Sequence, residues 1–186
     1  MTMSLICDYP TLGSSEKNKM SGKPEAETML RFHHVGVVVE NIFEAVSKYA
    51  KALGIERGKV LIEEMSYMTG NDEIEEFKYA FLTLAEGENN FIELVEPITP
   101  GPTTRYLGKH GEGLFHLAFE SSNIKETIRK FEDAGIPQAG TTPTKEVLSV
   151  FLHPKYANGV LIQILRKDVF DSHGRISREV LEKEKD

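Results

Sequence analysis

The sequence predicts an α+β fold in which two tandem βαβββ modules form one curled mixed sheet. The first indication is that a histidine inside an apolar run occurs twice, as His34 within residues 32–39 and as His116 within residues 115–119. Each histidine is followed seven residues later by asparagine, then by an aromatic residue and a glycine: Asn41, Tyr49 and Gly54; Asn123, Phe131 and Gly135. Such self-similarity indicates that one supersecondary unit occurs twice.

The first module begins with an apolar, β-branched strand over residues 31–39. Asn41 is a typical helix N-cap, apolar residues recur at helical spacing to residue 53, and Gly54 is a typical helix stop. A second strand is predicted over residues 59–65 and a polar turn over 69–76. Alternating apolar residues then predict a hairpin of strands 77–84 and 90–95.

Proline and glycine between residues 97 and 102 mark a linker, which a short helix over 103–109 follows. The second module repeats the order of the first. It has a strand at 114–120, a helix at 123–134, a weak strand near Gln138 and a hairpin of strands 147–152 and 159–165.

We therefore divide the chain into three parts. Residues 1–28 lack periodicity and are rich in polar residues, so we expect a disordered leader. Residues 29–166 form the folded domain, with module 1 at about 30–97 and module 2 at about 112–166. Residues 167–186 are a charged C-terminal tail, in which 177–185 have the character of an exposed helix.

Composition excludes several classes of protein. The net charge of −7 argues against nucleic acid or an anionic membrane as the main partner. A single cysteine, Cys7, excludes an internal disulfide and suits a reducing compartment. No apolar run approaches the roughly 20 residues of a membrane helix, and the N-terminus lacks a signal-peptide pattern. We expect a cytoplasmic protein.

Four polar side chains occupy equivalent positions of the two modules. His34 and His116 lie in the first strands, and Glu93 and Gln163 lie in the last, each twelve residues after a phenylalanine. If the modules pair about a pseudo-twofold axis, these four side chains converge. Two imidazoles, a carboxylate and an amide oxygen suit one divalent ion such as Co²⁺, Mn²⁺, Zn²⁺, Ni²⁺, Fe²⁺ or Mg²⁺. His33 is predicted to point to the opposite face, in a structural role.

Each residue also has a structural interpretation. A lone histidine in a strand is more often structural than a ligand, Glu93 fits an edge strand, and Gln163 fits a bond to the backbone. The coincidence of all four at repeat-equivalent positions favours the metal site.

The chain resembles the vicinal oxygen chelate superfamily, which includes glyoxalase I, extradiol dioxygenases and methylmalonyl-CoA epimerases. The resemblance covers about residues 31–166 and is strongest to the epimerases. Four segments carry it: residues 34–39 (HVGVVV), 92–97 (IELVEP), 111–120 (GEGLFHLAFE) and 151–155 (FLHPK) running into 159–162 (GVLI).

The resemblance implies a metal held by His34, Glu93, His116 and Gln163. It also implies an acyl-CoA thioester that is deprotonated and reprotonated at its α-carbon. Because Gln163 is neutral, Glu93 is the only one of these ligands that can take a proton, which makes it the candidate catalytic base. Two features depart from the epimerase pattern. Epimerases usually have glutamate where this chain has Gln163, and the second carboxylate of some members is missing from residues 77–81. Two-base epimerisation needs a proton acceptor on each face of the substrate.

Other functions therefore stay open. Glyoxalase I-like lyase or isomerase chemistry on an α-keto adduct is one alternative, and a non-catalytic small-molecule-binding protein is another. Glu75 and Glu76 are candidates for the missing base. Lys155 is a candidate substrate-binding residue for a phosphate or carboxylate, with a solvated turn lysine as the other interpretation. Exposed sheet edges in this fold favour a homodimer.

Overall fold

A seven-stranded mixed sheet with three helices forms the folded part of the chain in the computed structural model, which describes residues 30–68, 74–84, 90–139, 148–171 and 173–177. The strands are β1 (Leu30–Val38), β2 (Glu63–Met68), β3 (Ile74–Thr83), β4 (Phe91–Pro97), β5 (Gly113–Ser121), β6 (Ser149–Leu152) and β7 (Ile162–Arg166). The helices are α1 (Ile42–Leu53), α2 (Pro102–His110) and α3 (Ile124–Asp133).

The strand order β2-β3-β4-β1-β5-β7-β6 confirms the predicted fold of two modules in one curled sheet. Each module places its last strand parallel to its first, as β4 beside β1 and β7 beside β5. The first strands, β1 and β5, pair antiparallel at the centre and join the modules. The predicted weak strand near Gln138 is only an isolated bridge to Leu152.

One face of the sheet carries two apolar cores, one for each module. The core of module 1 packs helix α1, including Ile42 and Val46, against Leu82 and Leu94 of the sheet. The core of module 2 packs helix α3 against β6 and β7 through Ile124, Ile128, Val150, Leu152 and Ile164. Because successive strand residues point to opposite faces, the other, concave face is left for the polar side chains.

The predicted caps position both crossover helices. Asn41 accepts hydrogen bonds from the backbone N–H groups of Phe43 and Glu44, and Gly54 ends helix α1 in the left-handed conformation at φ 71°. Asn123 accepts from the backbone N–H of Glu126 at the start of helix α3. The repeated asparagines therefore begin equivalent helices in the two modules.

Two sequence-based boundaries were wrong. The second strand runs over Glu63–Met68 and follows a 3₁₀ turn at Arg57–Lys59, rather than covering 59–65. The predicted polar turn at 69–76 overlaps strand β3, which already includes residues 74–76. Residues 69–73 of that turn lie outside the described residues.

Glu75 ties strand β3 to the linker helix. Its side chain is fully buried and accepts hydrogen bonds from the backbone N–H groups of Thr103 (2.9 Å) and Thr104 (3.3 Å) and from the Thr103 hydroxyl (3.1 Å). A carboxylate at a helix N-terminus satisfies unpaired donors there. Burial raises the pKa of Glu75, and these hydrogen bonds oppose that rise.

The packed chain continues beyond residue 166, where the predicted tail begins. Val169 is buried, Phe170 bridges to Ile176, and Gly174 lies against the Phe81 side chain on the concave face. The predicted leader and nearly all of the predicted helix at 177–185 lie outside the described residues. None of the helices described is long and apolar enough to cross a membrane.

We expect Asn41→Ala and Asn123→Ala each to lower the free energy of unfolding by about 1 kcal/mol, because each removes a helix N-cap. Asn41 caps two N–H groups and Asn123 caps one, so the Asn41 variant should be the less stable. Urea unfolding followed by circular dichroism measures both. Equal stability of both variants and the parent protein would contradict the capping role.

Candidate metal centre

Strand register alone brings three of the predicted ligands together. On the concave face, Gly36 of β1 lies between Glu93 of β4 and His116 of β5. The adjacent row places His34 of β1 beside Ala118 of β5, and Ala118 beside Gln163 of β7. The four side chains therefore occupy two neighbouring rows across the centre of the sheet.

The ligand atoms form a compact triangle. Nε2 of His34 lies 2.9 Å from Nε2 of His116, and each of these nitrogens lies 3.3 Å from Oε2 of Glu93. All three residues are buried. Ligand atoms about 2.0–2.2 Å from one shared ion, at roughly tetrahedral or octahedral angles, lie about 3 Å apart. The spacing thus fits three ligands of a single cation.

Gly36 makes this arrangement possible. A Cβ atom at this position would lie 2.2 Å from Cε1 and 2.4 Å from Nδ1 of His116. The imidazole therefore lies directly over the Gly36 backbone, in space that any side chain would occupy. Glycine within a strand often marks such a close approach.

Gln163 supplies a fourth polar group. Its amide N–H donates to the Ser149 hydroxyl at 3.0 Å, while its Oε1 is buried and has no hydrogen-bond partner among the described residues. The Gln163 side chain also interacts with His34, whose pKa it raises. A buried acceptor without a partner is costly, so this oxygen fits the role of a further ligand.

His33 does not point to the opposite face, as alternation predicts. The pairing of β1 with β5 is irregular between Phe32 and His34, where His33 is the extra residue of a β-bulge. Its Nδ1 lies 2.8 Å from Nδ1 of His34, and its ring is buried. The bulge turns both neighbouring histidines to the concave face.

Burial and charge oppose each other in this cluster. Burial lowers the pKa of His33 to about 3, an effect that His34 reinforces and Glu93 opposes. Burial also lowers the pKa of His34, against the effect of Glu93. Burial by itself raises the pKa of Glu93, but the His34 and His116 imidazoles outweigh it and hold that pKa well below its usual range. At neutral pH the cluster therefore contains the Glu93 carboxylate beside the uncharged imidazoles of His33 and His34.

An aromatic wall surrounds the histidines. Phe81 lies 5.2 Å from the His34 ring and Phe91 lies 5.1 Å from the His33 ring, measured between centroids. Phe170 of the C-terminal segment packs on both Phe81 and His33. These rings limit access of water from this side and lower the local polarity.

A cleft of about 520 Å³ lies beside strand β3. Its lining residue Tyr79 is two residues from Phe81, which belongs to the aromatic wall. Its lining comprises residues of β2, β3 and the C-terminal segment: Glu63, Glu64, Tyr79, Asp171, Arg175, Ile176 and Ser177. Tyr79 donates a hydrogen bond to Glu63 at 2.9 Å, and its ring lies 5.8 Å from that of Phe81. The cleft is therefore next to the triangle but does not contain it.

The other candidate residues are exposed or have partners elsewhere. Lys155 is exposed in a 3₁₀ turn, with its ammonium 5.3 Å from the centre of the Tyr156 ring. Glu75 is six residues from Phe81 along β3, roughly 20 Å in an extended strand, and is engaged with helix α2. Glu76 is exposed. Neither glutamate reaches the position of a second base beside the triangle.

Sequence reasoning missed three contributors to this site. Gly36 had a signal, because a glycine interrupts an otherwise β-branched strand. His33 had none, since a bulge is not visible in the residue pattern. The packing of Phe170 and Gly174 on the concave face also had none, because the surrounding sequence is mostly polar.

Comparison with known proteins supports the same architecture. The family model described as the glyoxalase/bleomycin resistance protein/dioxygenase superfamily matches residues 33–148. The uncharacterized protein YqjC of Bacillus subtilis (strain 168) is 28% identical over 143 residues, which cover 73% of this chain and 91% of YqjC. A mitochondrial methylmalonyl-CoA epimerase of Dictyostelium discoideum is 25% identical over 145 residues, covering 74% of this chain and 78% of the epimerase.

Among solved structures, methylmalonyl-CoA epimerase from Mycobacterium tuberculosis superposes with a TM-score of 0.56 at 24% identity. The superposition covers 73% of this chain and 87% of that one. At this identity the likeness concerns the fold.

Gly36→Ala should weaken metal binding by about 10–100-fold, because the new methyl group displaces the His116 ring. Overpacking should also cost about 1–3 kcal/mol of stability. Titration with Co²⁺ in competition with a chelator measures the affinity. Gly108→Ala, at an exposed helical position with open space around the new Cβ, is the matched control and should bind as the parent does.

For the chelator-treated protein, we expect stability to fall as the pH falls from about 6.5 toward 3. Unfolded histidine takes up a proton near pH 6.5, whereas folded His33 does so only at about 3. The unfolded state then binds more protons than the folded state. This difference lowers the free energy of unfolding by up to about 1.4 kcal/mol per pH unit for each such histidine. Urea midpoints across this range measure the slope, which His33→Phe should reduce. A slope unchanged by the substitution would contradict a buried neutral His33.

Proposed function

Because the chain belongs to the glyoxalase/bleomycin resistance protein/dioxygenase superfamily, we propose that it is a divalent-metal-dependent enzyme that moves a proton at a carbon next to a carbonyl group. The functional model for this proposal is methylmalonyl-CoA epimerase, since two curated relatives of the chain are epimerases of this kind. The observation that carries this proposal is the buried triangle of His34, Glu93 and His116.

The donor set fits such an ion. Nε2 of His34, Nε2 of His116 and Oε2 of Glu93 would hold it, and the unpartnered Oε1 of Gln163 would complete the protein ligands. Two neutral imidazoles and two oxygens suit a borderline divalent cation. When bound, the cation supplies Lewis acidity that polarises a substrate carbonyl and acidifies the neighbouring C–H bond.

Glu93 is the base in this proposal. Its Oε2 faces the two imidazoles, and the carboxylate is the group in the triangle that can accept a proton from the substrate carbon. The neighbouring imidazoles keep the carboxylate ionised at neutral pH, which is the state that a base requires. The aromatic wall excludes water and strengthens the electrostatic interactions at the site.

One observation favours a second reaction. The concave positions of β3 beside the triangle are Tyr79 and Phe81, where some epimerases have a carboxylate, and Gln163 is neutral. A single carboxylate can take a proton from one carbon and return it to the adjacent one. Glyoxalase I-like isomerisation of an α-keto adduct needs no more than that and is therefore the second candidate.

The remaining sequence-based expectations stay predictions. They are an acyl-CoA thioester as substrate, Lys155 as a binding residue for its anionic groups, a homodimer, and a cytoplasmic location. The cleft beside Tyr79 offers space for the part of a substrate that does not contact the metal.

Proton exchange between methylmalonyl-CoA and D₂O tests the proposed reaction. The metal-loaded protein should incorporate deuterium at the α-carbon, and chelation should abolish incorporation. Glu93→Gln should lower the rate by about 10²–10⁴-fold, and its metal content, measured in parallel, separates loss of the base from loss of the ion. Glu56→Gln, an exposed carboxylate on a surface turn, is the control and should react at the parent rate.

The stereochemistry of the product distinguishes the two candidates. Exchange with inversion supports epimerisation, and exchange without inversion indicates one working base. A metal-loaded protein that exchanges nothing but converts the methylglyoxal–thiol adduct would support the second candidate. A protein that binds no divalent metal would overturn both.

A further inference from the structure

We propose that His33 is a positioning residue that holds His34 in the tautomer able to bind a cation through Nε2. This inference rests on the proposed metal site and names a residue outside its ligand set. The observation behind it is the contact between the two Nδ1 atoms, 2.8 Å apart in a buried environment.

The contact restricts where the hydrogens lie. A neutral imidazole has one donor nitrogen and one acceptor nitrogen. Between two Nδ1 atoms at hydrogen-bond distance, one must carry a hydrogen and the other must accept it. If Nδ1 of His34 donates to Nδ1 of His33, Nε2 of His34 is left unprotonated and turned toward Glu93 and His116.

The hydrogen-bond contact found at Nδ1 of His34 is the one with His33, so His33 is the group placed to set this tautomer. Metal-binding histidines usually donate their second N–H to a carboxylate, a carbonyl oxygen or water. Here an imidazole takes that place. His116 differs, because its Nδ1 is buried without a hydrogen-bond partner in the described part of the chain.

The surrounding structure holds the His33 ring for this contact. The β-bulge turns His33 to the concave face. The ring then packs against Phe91, Phe170 and Phe81, at centroid distances of 5.1, 5.8 and 6.1 Å. Bulges next to functional sites commonly re-aim a side chain in this way. His33 therefore combines an aromatic packing surface with one directed acceptor.

Two substitutions separate these properties. His33→Phe keeps an aromatic ring in the cluster and removes the acceptor. His33→Asn removes the ring but retains an oxygen acceptor near the position of Nδ1. The measurements are Co²⁺ affinity by chelator competition, the visible spectrum of bound Co²⁺, and the thermal midpoint of the metal-free protein.

We expect His33→Phe to lose about 10–100-fold in Co²⁺ affinity without a fall in its thermal midpoint. His33→Asn should bind Co²⁺ more tightly than His33→Phe despite a lower midpoint. A purely structural role for His33 predicts the reverse order, with affinity following stability. Parent-like Co²⁺ affinity in His33→Phe would also overturn the proposal.

Imidazole ¹⁵N–¹H correlation spectra of the metal-free parent protein test the tautomer directly, because they show which ring nitrogens carry a hydrogen. The proposal requires hydrogen on Nδ1 of His34 and on Nε2 of His33, and the opposite assignment overturns it. This test stands even if His33→Asn does not fold. A parent protein that shows the required tautomers but binds no Co²⁺ would refute the proposed metal-dependent function while leaving the tautomer assignment supported.

Discussion

The close approach of the His116 imidazole to the backbone of Gly36 is the constraint on which the site depends. β1 pairs with β4 on one side and with β5 on the other, so that Gly36 lies between Glu93 and His116 in one row. Side chains from these two strands can meet over β1 only if the residue between them has no Cβ. The antiparallel pairing that joins the two modules therefore also builds the site.

Burying this cluster opposes folding, and the fold compensates only in part. A buried carboxylate is costly unless charges or hydrogen bonds compensate it, and Glu93 has two imidazoles within 3.3 Å. Nδ1 of His116 and Oε1 of Gln163 have no such compensation among the described residues. Polar networks that are incompletely satisfied cost more than an apolar core. Such a cluster is better explained by the binding of a cation than by a contribution to the stability of the fold.

The placement of amide and carboxylate gives this site its chemical character. Glu93, from module 1, has the only carboxylate of the triangle, and Gln163, from module 2, contributes a neutral amide. The surrounding concave face is aromatic on β3 and β4 and is covered in part by Phe170 of the C-terminal segment. The site thus has one carboxylate, an aromatic wall and an adjacent polar cleft, a combination that suits the proposed proton transfer by a single group.

The sequence by itself determined the two-module fold, the capped helices and the convergence of His34, Glu93 and His116. The reason is that strand alternation and an internal repeat can both be recognised from the spacing of residues. Only the tertiary structure decided the orientation of His33, since that orientation depends on a bulge in the pairing with β5. It also decided that Phe170 and Gly174 of the C-terminal segment cover part of the concave face. Local patterns cannot encode either feature, because both arise from contacts between segments far apart in the chain.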